Sequence, residues 1–437
     1  MRFFSRVVSC TAFVFAVCNP FATYAAAETS DADALNLESA PVAAPEVGRP
    51  DTRIFVEGAL GNSSQRYLQH SRDLERASFD FSHTTRLGMG LRAVFSDRLD
   101  VIHPASGGSG GGAVAGGSSD STVNSLREAY ISWQAEGGNT IAEVGRINLR
   151  YGPAYGYNPT DFFRDGSLRT LTTANPFALR ENRLGTVMIR GQRLWSGGSL
   201  SVAYSPKLAD RPNPAGWSLD LGSTNNRDRI LVALGTQFSP SVSSQLLAYK
   251  QDGLPTTLGA SVTALLSDAA TAHAEWSRGR EPDLLSRTLG LTAPISTRNR
   301  FAGGATYTTL GKLSVTAEYE YNGFALSQKS WANLGANSPE TQVRYSIKAQ
   351  RLQEQVPRQA VLIYVTQKSL GLKDLDLTAF LRVNLGDRSR LAWVELRHHW
   401  SNFDLAFQLQ QHMGSPASEY GILPDRRVIQ VLGTYYF

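Results

Sequence analysis

RVIQVLGTYYF, Arg427 to Phe437, closes the sequence. Taken in twos from its last residue, Phe437, Tyr435, Gly433, Val431 and Ile429 form an apolar or interfacial row. Tyr436, Thr434, Leu432, Gln430 and Val428 form a mixed one. Side chains alternate faces along a strand, so one face suits hydrocarbon and the other suits water or packed polar groups. The same period of two recurs upstream. Residues 312–323 set Leu313, Val315, Ala317, Tyr319 and Tyr321 against Ser314, Thr316, Glu318, Glu320 and Asn322. Residues 375–385 set Leu375, Leu377, Ala379, Leu381, Val383 and Leu385 against Asp376, Thr378, Phe380, Arg382 and Asn384. In 342–351 the rows are Val343, Tyr345, Ile347 and Ala349 against Arg344, Ser346, Lys348 and Gln350, and comparable rows fall at 256–267, 270–279 and 402–413. Hydrophobic residues make up 42% of the chain, yet beyond the N-terminal region no apolar run exceeds Ala360 to Val365. That excludes a later helical membrane span and leaves alternating strands.

The other end carries an address. Arg2 and Arg6, the apolar stretch Val7 to Val17, and small residues around Ala25 to Ala27 read as a secretory signal peptide over 1–27. Asn19 and Pro20 close an apolar stretch that is short for a membrane anchor. Both cysteines, Cys10 and Cys18, fall inside it, so the mature chain is held without disulfides. Residues 28–51, rich in Ala, Pro and acids, read as a disordered periplasmic linker, which leaves 52–437 for the folded domain. The signal peptide removes two of 43 basic residues and none of 38 acidic ones, leaving 41 against 38. So small an excess argues against a nucleic-acid partner.

The connections decide between a soluble sandwich, which also alternates, and a membrane barrel, whose short periplasmic turns and longer outer loops alternate. With the last strand running towards the periplasm, short links at 401–402, 294–298, 267–269, 240, 196–198 and 137–138 fall at one end. Long links at 414–426, 208–227, 151–183 and 103–122 fall at the other. Trp133, Trp195, Phe238, Trp400 and Phe403 lie near the short turns, as an interfacial aromatic girdle requires. Residues 324–341 break the rule, being long where a short turn is needed. The reading is an all-β fold, a transmembrane antiparallel up-and-down β-barrel of about 18–20 strands, even in number, with both termini periplasmic. In hydrocarbon an unpaired amide costs several kcal/mol, so a spanning sheet must close and leave no edge.

In these features the chain resembles Gram-negative outer-membrane porins and porin-like barrels, whose last residue is typically Phe. The segment EVGRINLRYGPAYGYNPTDFFRDG, Glu143 to Gly166, resembles the place where a Gly-Arg-bearing porin strand leads into a loop folded into the lumen. It is similar also to a class of outer-membrane proteins carrying Asn-Pro-Thr-Asp-Phe-Phe, here Asn158 to Phe163. The loop lacks the acidic cluster of trimeric porins. The resemblance implies an outer-membrane location, surrounding lipid and lipopolysaccharide, and insertion by the barrel-assembly machinery through the strand ending at Phe437. It also implies passive passage of small hydrophilic solutes. The alternative is a plugged barrel serving binding or export of a polymer or partner.

Pore-lining candidates follow from alternation. With Ile141, Gly145, Ile147 and Leu149 on the lipid face, Arg146, Asn148 and Arg150 point inward, as do Arg190, Arg344, Lys348, Arg382 and Arg397. Arginine outnumbers lysine 36 to 7, and guanidinium groups bind carboxylates or phosphates in fixed geometry, which suggests a mild anion preference. The inward acids Glu128, Glu275, Glu318, Glu320, Asp376, Glu395 and Asp404 allow a purely structural pairing instead. Loop 151–183 is a constriction or an outer cap, with Tyr155, Asn158, Asp161, Phe162 and Phe163 as its ordering residues. Enzymatic signals are weak. A Gly-x-Ser-x-Gly match in the Gly/Ser tract 107–119 lacks its strand-to-helix context, and His398 and His399 fall on opposite faces. His273 and Glu275 share an inward face, the one arrangement open to acid/base work. No cofactor or metal is expected.

Overall fold

The computed structural model describes residues 51–66, 71–104 and 122–437. The expected signal peptide, nearly all of the expected linker and the Gly/Ser tract at 107–119 lie outside the described residues. Eighteen strands follow one another: β1 (Thr52–Gln65), β2 (Ser71–Gly88), β3 (Leu91–Pro104), β4 (Thr122–Gln134), β5 (Thr140–Ile147), β6 (Thr186–Trp195), β7 (Gly198–Ser205), β8 (Arg229–Ser239) and β9 (Val242–Gln251), then β10 (Thr257–Ser267), β11 (Ala270–Glu281), β12 (Ser296–Thr308), β13 (Leu313–Asn322), β14 (Gln359–Gln367), β15 (Leu375–Asn384), β16 (Arg390–His399), β17 (Phe403–Met413) and β18 (Asp425–Tyr436). Each pairs antiparallel with its neighbours in sequence, and β1 pairs with β18, Val56 facing Tyr435 and Leu60 facing Val431. The sheet is a closed 18-stranded barrel. Among the described residues no helix is long and apolar enough to cross a membrane.

The two ends differ as the principle of short turns and long loops requires. At the turn end the links are 89–90, 135–139, 196–197, 240–241, 268–269, 309–312, 368–374 and 400–402. At the loop end they include 148–185, 206–228, 282–295, 323–358 and 414–424, and these carry the helices: α1 (Pro176–Glu181), α2 (Leu221–Thr224), α3 (Leu284–Leu289), α4 (Gln328–Asn337) and α5 (Pro339–Arg351). The outer face is apolar, with Leu60, Phe79, Ile131, Val144, Ile189, Val202, Phe407 and Val431 all exposed. Trp133, Trp195, Phe238, Trp400 and Phe403 are exposed beside the short turns.

Two expectations fail here for one reason. The strand read at 342–351 is helix α5. Its buried residues Gln342, Tyr345, Ser346 and Ala349 follow helical spacing, with Pro339 at its first turn and Lys348 and Arg351 in its last. The alternating row shared Tyr345 and Ala349 with that set, so a short window fits both periods. Once α5 is a helix, 323–358 becomes one connection at the loop end and the long periplasmic link at 324–341 disappears. The short turn expected at 294–298 is likewise the end of connection 282–295, on the loop side, with β12 starting at Ser296.

Besides β-bulges such as that between Ser96 and Asp97, the wall opens beside β5. β5 leaves the sheet after Ile147, while β4 continues towards the loop end as far as Thr122. The open edge is filled by chain from elsewhere. Gly185 donates its N–H to the Arg127 carbonyl at 2.7 Å, and Asn124 donates to Gly216 at 2.7 Å. The Asn225 side chain bonds both N–H and C=O of Val187, at 3.0 and 2.8 Å, as a neighbouring strand would.

Val431 lies on the lipid face between its register partners Leu60 and Phe407. Val431→Arg should lower barrel stability by about 2–4 kcal/mol, the cost of a cation near the bilayer midplane. The urea midpoint of refolding into lipid vesicles measures this, and an unchanged midpoint would remove Val431 from the hydrocarbon.

Candidate functional site

The connection 148–185 turns into the barrel instead of capping it. Its first half is held by two carboxylates about halfway along the wall strands, Glu275 on β11 and Glu318 on β13, exposed by only 1% and 2%. Glu275 accepts from the Ala154 N–H at 2.6 Å, the Asn158 amide at 3.0 Å, and the Thr160 N–H and hydroxyl at 3.2 and 2.8 Å. Glu318 accepts from the N–H groups of Tyr155 and Gly156 at 2.7 and 2.9 Å, and pairs with His273 Nε2 at 2.9 Å. Buried carboxylates need donors, and an irregular backbone needs acceptors. Each solves the other's problem. The approach depends on glycine: a Cβ at Gly152, whose φ is +90°, would sit 2.2 Å from Glu275, and one at Gly156 would sit 2.2 Å from Glu320.

Further along, Phe162 stacks on Tyr249 of β9 with ring centres 4.7 Å apart, and Phe163 meets the same ring edge-on at 6.0 Å. Ile147, Leu149, Met188, Ala203, Leu231 and Leu247 complete this apolar cushion on the inner wall. Asp161 takes a bidentate pair from Arg183 at 2.7 and 3.2 Å, and Arg183 also bonds Asn148 and the Leu149 carbonyl, tying the two roots of the connection together. The second half crosses to the opposite wall, where the Thr170 hydroxyl donates to Asp100 at 3.1 Å and Arg76 donates to the Thr172 carbonyl at 3.1 Å. That wall is an ionic lattice: Arg76 and Arg98 on Glu57, Arg98 on Asp100, and Arg127 on Asp80. Among the described residues, no hydrogen bond or ion pair joins 170–181 to β17, β18 or β1.

A second insertion meets the first. α3, α4, α5 and residues of 414–424 share an apolar cluster of Leu284, Phe324, Trp331, Tyr345, Ala349 and Ile422 at the loop end. The two insertions join at Glu354, which receives Arg164 at 3.1 Å, Arg300 at 3.1 Å, Arg287 at 3.3 Å, the Tyr157 hydroxyl at 2.9 Å and Asn322 at 3.1 Å. Burial pushes the Glu354 carboxyl up, but Arg300, Arg164 and Arg287 outweigh it and hold the group well below the usual carboxylate range.

The closed antiparallel barrel matches known structures. It is similar to OccAB1 of Acinetobacter baumannii, with a TM-score of 0.55 at 11% identity, covering 88% of this chain and 96% of that one. OccAB4 of the same organism gives 0.54 at 9% identity, covering 88% and 97%. OccK5 (OpdH) of Pseudomonas aeruginosa gives 0.53 at 11% identity, covering 88% and 97%. The fold is that of an outer-membrane porin. No protein-family model matches the chain, and no curated protein matches it by sequence.

Within this porin fold the pore-lining candidates separate into groups. Tyr155, Asn158, Asp161 and Phe163 are brought together with Phe162, but the first four are buried against the wall. The part of the connection with water access is 170–182, including α1. Arg382 joins the site through Glu320, at 2.6 Å, beside Gly156. Arg344 and Lys348 lie on helix α5, away from this cluster, so their inward direction by strand parity does not hold. The face assigned to β5 is also reversed. Ile141, Ile147 and Leu149 are buried inside, Val144 is exposed to lipid, and Glu143 points inward onto Arg190 at 2.8 Å. Arg146 is 3% exposed in the irregular wall, donating to the Gly185 carbonyl and to Thr224 of α2. Asn148 holds the root of the connection, and Arg150 alone of the three is exposed. His398 and His399 do face apart, His398 packing on Trp400 and His399 lying between Asp376 and Asp404. His273 and Glu275 share the inner face but engage different partners.

Sequence reasoning missed the lattice on β1 to β4, although Arg76, Ser78, Asp80 and Arg98, Asp100 stand two apart on one face and were open to detection. Glu354 carried no signal, because nothing local marks its five partners.

Glu275→Leu leaves the amides of Ala154 and Thr160 without an acceptor and should weaken docking of the connection by at least about 3 kcal/mol. Limited proteolysis within 153–166, in a barrel that still shows heat-modifiable migration, reads this out. Continued protection would mean that Phe162 and Phe163 hold the connection alone. The depressed Glu354 value makes its contribution complete above the ordinary glutamate value of 4.5 and progressively lost as pH falls below it. The protection factors of amides in 323–358, which take out the intrinsic pH dependence of amide exchange, should therefore fall on acidification, whereas in Glu354→Gln they should already be low at pH 7 and change little with pH.

Proposed function

We propose that the protein is an outer-membrane channel for passive diffusion of small hydrophilic solutes, with a mild anion preference. The observation that carries this reading is the inserted connection itself. It is fixed to the walls formed by β9 to β13 and β2 to β4, and its residues 170–182 retain water access. A solute path then lies between those residues and the inner face of β17, β18 and β1, a polar wall on which Gln408 bonds Glu395 and Gln430, and Gln410 bonds His412. The anion preference rests on Arg150, an exposed guanidinium whose charge acts on Glu128 and Arg180, since Arg76, Arg98, Arg127, Arg190, Arg382 and Arg397 already face carboxylates. Barrel-assembly machinery is the proposed partner at the turn end, where Phe437 is exposed beside Tyr435.

A plugged barrel for binding or export is the second reading, favoured by the apolar cluster of α3, α4 and α5 over the loop end. Planar-bilayer recording separates the two. Stable ion steps are expected, with Arg150→Glu moving the reversal potential towards cations. A barrel that inserts and passes no current would establish the plug, and an unmoved potential would return Arg150 to a structural role.

A further inference from the structure

The outer face changes character near the loop end of β11. Its lipid-side row runs Trp276, Arg278, Arg280, while Ser277 and Glu281 turn inward. Both arginines are exposed, and among the described residues neither makes a hydrogen bond or an ion pair. The nearest acid along the strand, Glu281, is already engaged inside the barrel by Arg287 and Arg300. The register partners of Arg278 are Leu258 and Asn299, and Thr297 stands opposite Arg280, so no carboxylate flanks the pair on the sheet. Two strands away Lys250 of β9 is exposed on the same face, its ammonium on the Leu254 carbonyl. Asp252, in the neighbouring turn, and Asp228, whose carbonyl accepts from the Asp252 N–H at 2.9 Å, stand at this rim on the side away from β11, and Asp228 is engaged by the Tyr204 hydroxyl and the Lys207 N–H.

The spacing suits a single anionic group. Arg278 and Arg280 stand roughly 7 Å apart along the strand, and Lys250 lies about 10 Å across the sheet. Below them Leu258, Val262, Leu246 and Trp276 are exposed and apolar. Unpaired cations above a hydrocarbon-facing strip call for a ligand with the same two-part build, an oxyanion above and acyl chains below. Arginine binds phosphate oxygens bidentately, and basic clusters at a membrane surface attract anionic head groups.

We infer that Arg278, Arg280 and Lys250 bind the phosphate of an outer-leaflet glycolipid, lipopolysaccharide, whose acyl chains lie along Leu258, Trp276 and Val262. The site rests on the reading that the loop end faces the cell exterior.

Native mass spectrometry of the full mature chain in detergent tests it, with diphosphorylated lipid A, dephosphorylated lipid A and inorganic phosphate as separate probes. Lipid A should bind about tenfold or more tightly than its dephosphorylated form, and Arg278→Gln with Arg280→Gln should remove about that factor. Arg193→Gln, on the outer face at the turn end, should bind as the parent does. Equal retention of the two lipids, or unaltered binding by the double variant, overturns the site. Displacement of lipid A by equimolar inorganic phosphate would make it a site for free phosphate and overturn the lipid assignment. Single-channel conductance of the same preparation keeps the two readings apart. A preparation that binds lipid A but passes no current retires the channel and keeps the site, whereas a conducting one indifferent to phosphate does the opposite.

Discussion

Everything in this molecule depends on the pairing of its first strand with its last. A backbone amide left open in hydrocarbon costs several kcal/mol, and along a free edge strand about every second residue would leave one open. The meeting of β1 and β18 removes both edges at once. Because the ring is complete, the outside can be uniformly apolar with no loss of hydrogen bonding, and the inside is free to carry charge. No covalent crosslink is required for that.

Closure creates a second problem, an interior too wide for its own wall side chains to fill. The protein answers it with chain taken from the loop end. The wall supplies carboxylates and the inserted chain supplies amides, so the buried carboxylates of Glu275 and Glu318 are matched by the N–H groups of Ala154, Thr160, Tyr155 and Gly156. On the far wall the same matching is done between side chains, by arginines and acids on adjacent strands. The arginine-rich composition thus serves mostly architecture: of the inward arginines, Arg150 remains the exposed one among those singled out from alternation. Both accounts of the arginines foreseen from the sequence, pairing and solute contact, apply to different members.

Much of the fold was legible. Period two, short turns at Gly138, Gly197 and Pro240, and the aromatic girdle all reflect local rules about strands and interfaces, and these hold in the structure. The errors came where a local rule was ambiguous. Over 342–351 a helix and a strand share half their apolar positions. At β5 the face was judged from the apolar residues Ile141, Ile147 and Leu149, yet an inner wall that cushions Phe162 and Phe163 is itself apolar. The site was legible only as a segment. That Tyr155 to Phe163 orders the connection could be read from its bulk and its Asn-Pro turn, but which residues face water depends on Glu275 and Glu318, more than a hundred residues downstream.

That separation has a consequence for how the molecule comes into being. The amide of Ala154 and its acceptor Glu275 are 121 positions apart, Gly156 and Glu318 are 162 apart, and Tyr157 and Glu354 are 197 apart. During synthesis from the N-terminus, the connection emerges after Arg76 and Asp100 but long before Glu275, Glu318 and Glu354 exist. Its first half must be kept waiting, solvated and unattached, until β11 and β13 have joined the growing sheet. The width of the bore is therefore settled late in the life of the nascent chain, and a barrel interrupted before β13 would be an open ribbon with its gate hanging loose.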